Sequence, residues 1–144
     1  MKKLIPILLL LVSGVADAET PITGAFGQVL GAIWNTPATK TYGKDGYLQH
    51  RFVPESSLDA FDIWYVDVTP VKGLIFTIGA IGNYDCTSQF AAFKQILSKK
   101  YGSGEEDDHK LNHQWTRRKD GQEFRTIELE CDQQRLRLDY TDKF

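Results

Sequence analysis

Cys86 and Cys131 are the only cysteines of the chain, and each falls on the apolar side of a strongly patterned segment. Cys86, Phe90, Phe93, Leu97 and Tyr101 recur at helical spacing, with Ile96 beside them, so one face of a helix over about 86–101 is apolar. Asp85 or Thr87 is placed to cap its start. Lys99 and Lys100 suit the negative end of the helix dipole, and Gly102 suits the position just past the last turn. Around Cys131 the period is two. Ile127, Leu129 and Cys131 share one side of a strand, and Glu128 and Glu130 share the other. The next strand has Leu136, Leu138 and Tyr140 on one side and Arg135 and Arg137 on the other. A two-residue turn at Gln133-Gln134 would set Cys131 opposite Leu136, Leu129 opposite Leu138, and Glu130 opposite Arg137. Both thiols then face the same core. A Cys86–Cys131 disulfide would staple helix to sheet and, in the chain-entropy account, contribute about 4 kcal/mol.

A disulfide needs an oxidising compartment, and the N-terminus supplies an address. Met1-Lys2-Lys3 is basic, Leu4 to Val12 is apolar, and Ala16-Asp17-Ala18 puts small residues at the −3 and −1 positions. This is the layout of a secretory signal of the bacterial kind, with cleavage expected after Ala18 and the periplasm or exterior as destination. Nine apolar residues are too few to span a bilayer, which takes about 20. Removing 18 residues from 144 leaves 126, read as one globular domain over 19–144. Residues 1–18 contain Lys2, Lys3 and Asp17, so 15 basic and 18 acidic residues remain, a net charge of −3. A nucleic-acid binder driven by bulk positive charge is disfavoured by that balance.

Residues 19–45 are rich in Gly, Thr and Pro and show neither helical nor strand periodicity. Gly24, Gly27 and Gly31 do not have the spacing of a phosphate loop. Strands are expected at Tyr47–Val53, Phe61–Thr69, Leu74–Tyr84, Leu111–Arg118, Glu123–Cys131 and Arg135–Tyr140. Turns fall at Thr69–Gly73 and around Lys119-Asp120-Gly121. The nearly unbroken apolar run LIFTIGAIG marks a central strand, with Gly79 and Gly82 leaving room for a bulge or a packed helix. The expected architecture is α+β: an antiparallel sheet of five or six strands packed on one main helix, with a single disulfide.

No catalytic constellation stands out. His109 and His113 are four apart, but in a strand that separation is about 13 Å, too far for one metal ion. The acidic run Glu105 to Asp108 reads as a solvated loop. His50 alternates with Leu48 and Phe52, and Ser56 and Ser57 follow it without a nucleophile-elbow pattern. Asp62 with Asp67, or Glu128 with Glu130, could serve as a carboxylate pair for a hydrolase. Arg117, Arg118 and Lys119, with Arg125, form a small basic cluster that reads as a solvated turn. No cofactor and no metal are expected.

The aromatic residues are the remaining lead. Trp34, Tyr47, Phe61, Trp64 and Tyr65 fall in the first half, and a sheet with Trp64 on one face and Phe61 and Tyr65 on the other does not easily hide them all. The expectation is a non-enzymatic exported protein that binds another protein of the cell envelope through an aromatic-rich sheet surface. Two alternatives stand beside it: a small cell-wall hydrolase using carboxylates or His50, and a carrier of a small apolar ligand held between helix and sheet.

Overall fold

The structure is a computed structural model that describes residues 19–143, so the segment read as an export signal lies outside the described residues. In chain order the elements are β1 (Gly24–Ala25), β2 (Gln28–Val29), β3 (Lys40–Lys44), β4 (Tyr47–Phe52), β5 (Ile63–Val68), β6 (Ile75–Gly82), α1 (Cys86–Tyr101), β7 (Glu105–Glu106), β8 (Asn112–Lys119), β9 (Gln122–Asp132) and β10 (Arg135–Asp142). β1 and β2 form a separate small hairpin. The other eight strands form one antiparallel sheet in the order β3-β4-β5-β6-β10-β9-β8-β7. The fold is therefore α+β with a mostly antiparallel sheet, but the sheet has eight strands rather than five or six. The two additions are its ends. β3 is exposed at every residue, so no apolar alternation marks it. β7 is two exposed glutamates.

The C-terminal hairpin has the register that its side-chain pattern demands. Cys131 pairs with Leu136, Leu129 with Leu138, and Glu130 with Arg137. Gln133 and Gln134 both take positive φ, 50° and 65°, the backbone of a two-residue turn that follows the twist of the strands. Asp120 and Gly121 do the same between β8 and β9.

α1 starts and ends where its stripe begins and stops. Asp85 occupies the cap position in the left-handed region and makes no side-chain cap bond; at the other end the Gly102 N–H donates to the Ser98 carbonyl. Phe90, Leu97 and Tyr101 are buried on the helix against Ile127, Leu129, Leu136, Leu138 and Tyr140 of β9 and β10. Fully burying side chains of this size stabilises by about 1.5–3 kcal/mol each. Cys86 and Cys131 are joined, their Cα atoms 5.7 Å apart, so the bond ties the first helical turn to β9. The space at Gly79 and Gly82 is not used by the helix. A Cβ on Gly82 would strike the backbone of Ala60, and one on Gly79 would strike the Tyr65 ring.

The N-terminal stretch covers the half of the same sheet face that the helix does not reach. Ile22 and Leu30 join the core, with Phe26 and Trp34 packed against it. Gly31 and Trp34 donate backbone bonds to the carbonyls of Ile75 and Gly73. Two arginines fasten the segment from below. Arg125 donates to the carbonyls of Ile22 (2.8 Å) and Leu30 (3.4 Å) and pairs with buried Asp142. Arg117 donates to the carbonyls of Thr20 (2.8 Å) and Tyr101 (2.9 Å). Of the basic cluster, Arg117 and Arg125 are thus inward clamps; Arg118 and Lys119 are exposed.

Candidate functional site

Strand alternation and register define what lies on the second face of the sheet. β5, β6, β10, β9 and β8 place Tyr65, Gly79, Asp139, Glu128 and Gln114 in one row across the strands. Arg51 of β4 extends that row. The adjacent row runs Gln49, Asp67, Thr77, Thr141, Thr126, Thr116. Helix α1 and the N-terminal segment pack on the opposite face.

At the centre the Tyr65 ring occupies the space above Gly79. Its hydroxyl donates a hydrogen bond to Asp139 Oδ1. Arg137 Nη2 donates to the Tyr65 hydroxyl at 3.3 Å, and Arg137 Nε lies 2.9 Å from Asp139 Oδ2. The register sets Arg137 opposite Glu130, yet its guanidinium turns to Asp139, where it gains the tyrosine oxygen as well. Gln49 Nε2 donates to Asp67 Oδ1 (2.9 Å), and Gln114 Nε2 to Glu128 Oε2 (2.6 Å). Thr126 Oγ1 is buried with no partner among the described residues.

Burial sets the electrostatics. It pushes the carboxyls of Asp139 and Asp67 above their ordinary range, although the hydrogen bonds from Tyr65 and Gln49 and the charge of Arg137 pull the other way. Burial also raises the Tyr65 phenol, assisted by the neighbouring Asp139 charge. Desolvation opposes the Arg137 cation, but Asp139 and Tyr65 outweigh it and hold the guanidinium more firmly protonated. A phenol pushed up in this way is a hydrogen-bond donor and a poor nucleophile.

Toward the β3 end the face is basic and aromatic. Arg51 lies 5.3 Å from the centre of the Tyr42 ring and 5.9 Å from that of Tyr65, and Lys40 Nζ lies 5.0 Å from Tyr42. Such contacts contribute about 0.5–1 kcal/mol each when exposed. Tyr47 meets Phe76 edge-on at 5.3 Å.

The five aromatic residues expected to form one binding surface are divided between the two faces. Tyr47 and Tyr65 belong to the second face. Trp64 is buried on the helix face. Phe61 precedes β5 and is buried between Phe26 and Phe93, with ring centres 5.8 and 5.1 Å away. Trp34 is half-buried on the helix face, stacked on His50 at 5.4 Å and edge-on to Phe52 at 5.6 Å. Phe61, Trp64 and Tyr65 are 4%, 8% and 2% exposed, so they cannot form an exposed aromatic patch. The sheet hides all three because Tyr65 uses the gap at Gly79 and Phe61 folds back to the helix side.

The other candidates separate. His50 bonds through Nδ1 to the Thr41 hydroxyl at 2.7 Å; Ser56 and Ser57 are exposed in the following loop. Asp62 is exposed ahead of β5, and Asp67 is buried within it. Glu128 and Glu130 share the second face, one held by Gln114 and the other set opposite Arg137. His109 is exposed in a turn, whereas His113 is buried with Nε2 2.6 Å from the Ser103 carbonyl. Among the described residues, no three His, Cys, Asp or Glu side chains are grouped to hold a metal ion, and no helix is long and apolar enough to cross a membrane. No protein-family model matches the chain, and no curated protein or solved structure matches it significantly.

Proposed function

We propose that this chain is an exported protein that acts by binding another protein of the cell envelope through the second face of its sheet. The carrying observation is that face itself: exposed Tyr42, Arg135 and Arg137 and half-buried Tyr47 and Arg51 surround a largely buried centre in which Tyr65, Asp139, Gln49 and Asp67 hold one another through side-chain hydrogen bonds. Tyrosine and arginine are enriched at protein–protein interfaces, and a polar surface already ordered before binding loses less side-chain entropy on association. The disulfide between α1 and β9 is compatible with an oxidising compartment and stiffens the scaffold from behind.

The carboxylates fit this reading better than hydrolysis. Asp67, Asp139 and Glu128 each spend an oxygen on a partner from the chain itself, whereas a general acid or base must reach substrate. Recovery of one discrete envelope protein by the immobilised mature chain, with recovery reduced by Arg135→Glu on the exposed part of this face, supports the proposal. Equal recovery by the variant, or by a column without the protein, overturns it.

A second reading rests on a different place. A groove of about 680 Å³ lies between the β1–β2 hairpin and the loop after β4, with Phe26, Phe52, Val53, Pro54 and Leu58 among its walls. Phe26 is held there in the left-handed region, φ 53°. A small apolar ligand fits those walls. Native mass spectrometry of the exported protein showing only the mass of the bare chain counts against this reading.

A further inference from the structure

The sheet ends at β3 with nothing paired to its outer edge among the described residues. Asp45 and Gly46 close a two-residue turn that sets Lys44 opposite Tyr47. In such a hairpin the residues flanking the turn form a hydrogen-bonded pair, and the alternation then repeats every second residue. Lys44, Tyr42 and Lys40 therefore bond toward β4. The backbone N–H and C=O of Thr41 and Gly43 point away from the sheet. All five residues of β3 are exposed, and Gly43 has open space around its Cα, so no side chain of its own blocks an approaching strand.

The side chains beside that open edge carry one sign of charge. Lys40, Tyr42 and Lys44 alternate onto the second sheet face, where Arg51 of β4 stands opposite Lys40. Asp45 sits at the turn, and Asp67, the nearest carboxylate inside the face, is engaged by Gln49. An identical edge is a poor partner: centred on Tyr42, two antiparallel copies of β3 would set Lys40 against Lys44, and like charges directly opposite are destabilising. A strand with acidic side chains at alternate positions meets the same two lysines with the opposite outcome.

We infer that the outer edge of β3 accepts an added strand, an extended acidic segment of the partner protein, through the backbone of Thr41 and Gly43 and the cations of Lys40, Lys44 and Arg51. The inference rests on the interaction reading above and gives that partner its chemistry. Strand addition takes affinity from main-chain bonds and specificity from alternate side chains, and β3 offers both.

The test uses the isotope-labelled mature protein and three synthetic probes: a peptide alternating Glu and Val, the same peptide methylated on alternate backbone nitrogens, and a peptide alternating Lys and Val. The Glu–Val peptide is expected to shift and protect the amides of Thr41 and Gly43. The Lys–Val peptide is expected to fail, and the methylated peptide to lose binding in the register that faces β3. Lys40→Glu combined with Lys44→Glu weakens the Glu–Val peptide at least about tenfold. Equal binding to that double variant, shifts centred away from β3, or no shift at about 1 mM peptide overturns the inference. A photoreactive residue at Arg135 separates this failure from a wider one. If it still captures the envelope partner from the double variant, only the edge assignment falls; if it captures nothing from the wild-type background, the interaction reading falls as well.

Discussion

The Tyr65 ring fills the space where a Cβ on Gly79, its cross-strand partner, would stand. That single vacancy lets a large aromatic lie against the sheet and deliver its hydroxyl to Asp139 on the strand beyond. Gly79→Ala therefore has two effects. It overpacks the site, at a cost of about 1–3 kcal/mol, and it lifts the phenol away from the carboxylate. The expected outcome in urea unfolding is a lower midpoint with an unchanged slope. Tyr65→Phe keeps the ring and removes only the hydroxyl, costing about 1–3 kcal/mol because Asp139 loses a donor while partly buried. A neutral Gly79→Ala variant would contradict this packing.

The buried carboxylates make a prediction about pH. Burial holds Asp139 above its ordinary value of 3.8, so the folded chain keeps this proton longer than the unfolded chain does. Its contribution to stability is full below the ordinary value and is lost as pH rises through the raised one. Asp67 has the same sign. Asp139→Asn removes the first of these terms. The stability of the variant relative to wild type, measured by urea unfolding, should therefore rise from about pH 4 to about pH 7. A relative stability that falls over that range would reverse the sign assigned to Asp139.

The disulfide is expected to act on the scaffold and not on the second face of the sheet. Replacing Cys86 and Cys131 by alanine should lower stability by up to about 4 kcal/mol. The Tyr65–Asp139–Arg137 arrangement, followed by the backbone shifts of β5 and β10, should persist below the unfolding transition. Loss of those shifts under folding conditions would place the bond inside the site's own support.

Arg125 holds the N-terminal segment through two carbonyls and a buried aspartate. In Arg125→Met the apolar stem remains and the hydrogen bonds are lost. Asp142 is left buried without its cation, so the expected cost is about 3–5 kcal/mol. Hydrogen exchange should rise around Ile22 and Leu30 before it rises in α1. Uniform acceleration across the chain would mean that the segment has no separate anchorage.

These particulars show where the amino-acid pattern was informative. α1 and the β9–β10 hairpin bury one face and wet the other, so hydrophobic period and charge pairing both register there. β3 buries neither face and carries no such signal, and β7 is too short to show a period. Ile22 and Leu30 enter the core from a turn-rich segment fixed by arginine-to-carbonyl bonds, which leave no mark on local spacing. Tyr47 and Tyr65 stood out as aromatics, but their partners Phe76, Arg137 and Asp139 lie on β6 and β10. A signal was present in the polar side of each: Tyr65 with Asp67, Arg137 with Asp139, and Glu128 with Glu130 fall on one face once the strand order is known. That order depends on β10 returning to pair with β6, a long-range match beyond the reach of local periodicity.

The interaction reading is tested most directly by asking which side of the sheet meets another protein. A photoreactive side chain is placed at exposed Arg135 on the second face, and separately at exposed Ile96 on the outer side of α1. Each variant is produced as the full chain and irradiated in intact cells. A discrete protein adduct from Arg135 and none from Ile96 is the predicted result. An adduct from Ile96 alone, or none from either position, would contradict the assignment of the second face as the binding surface.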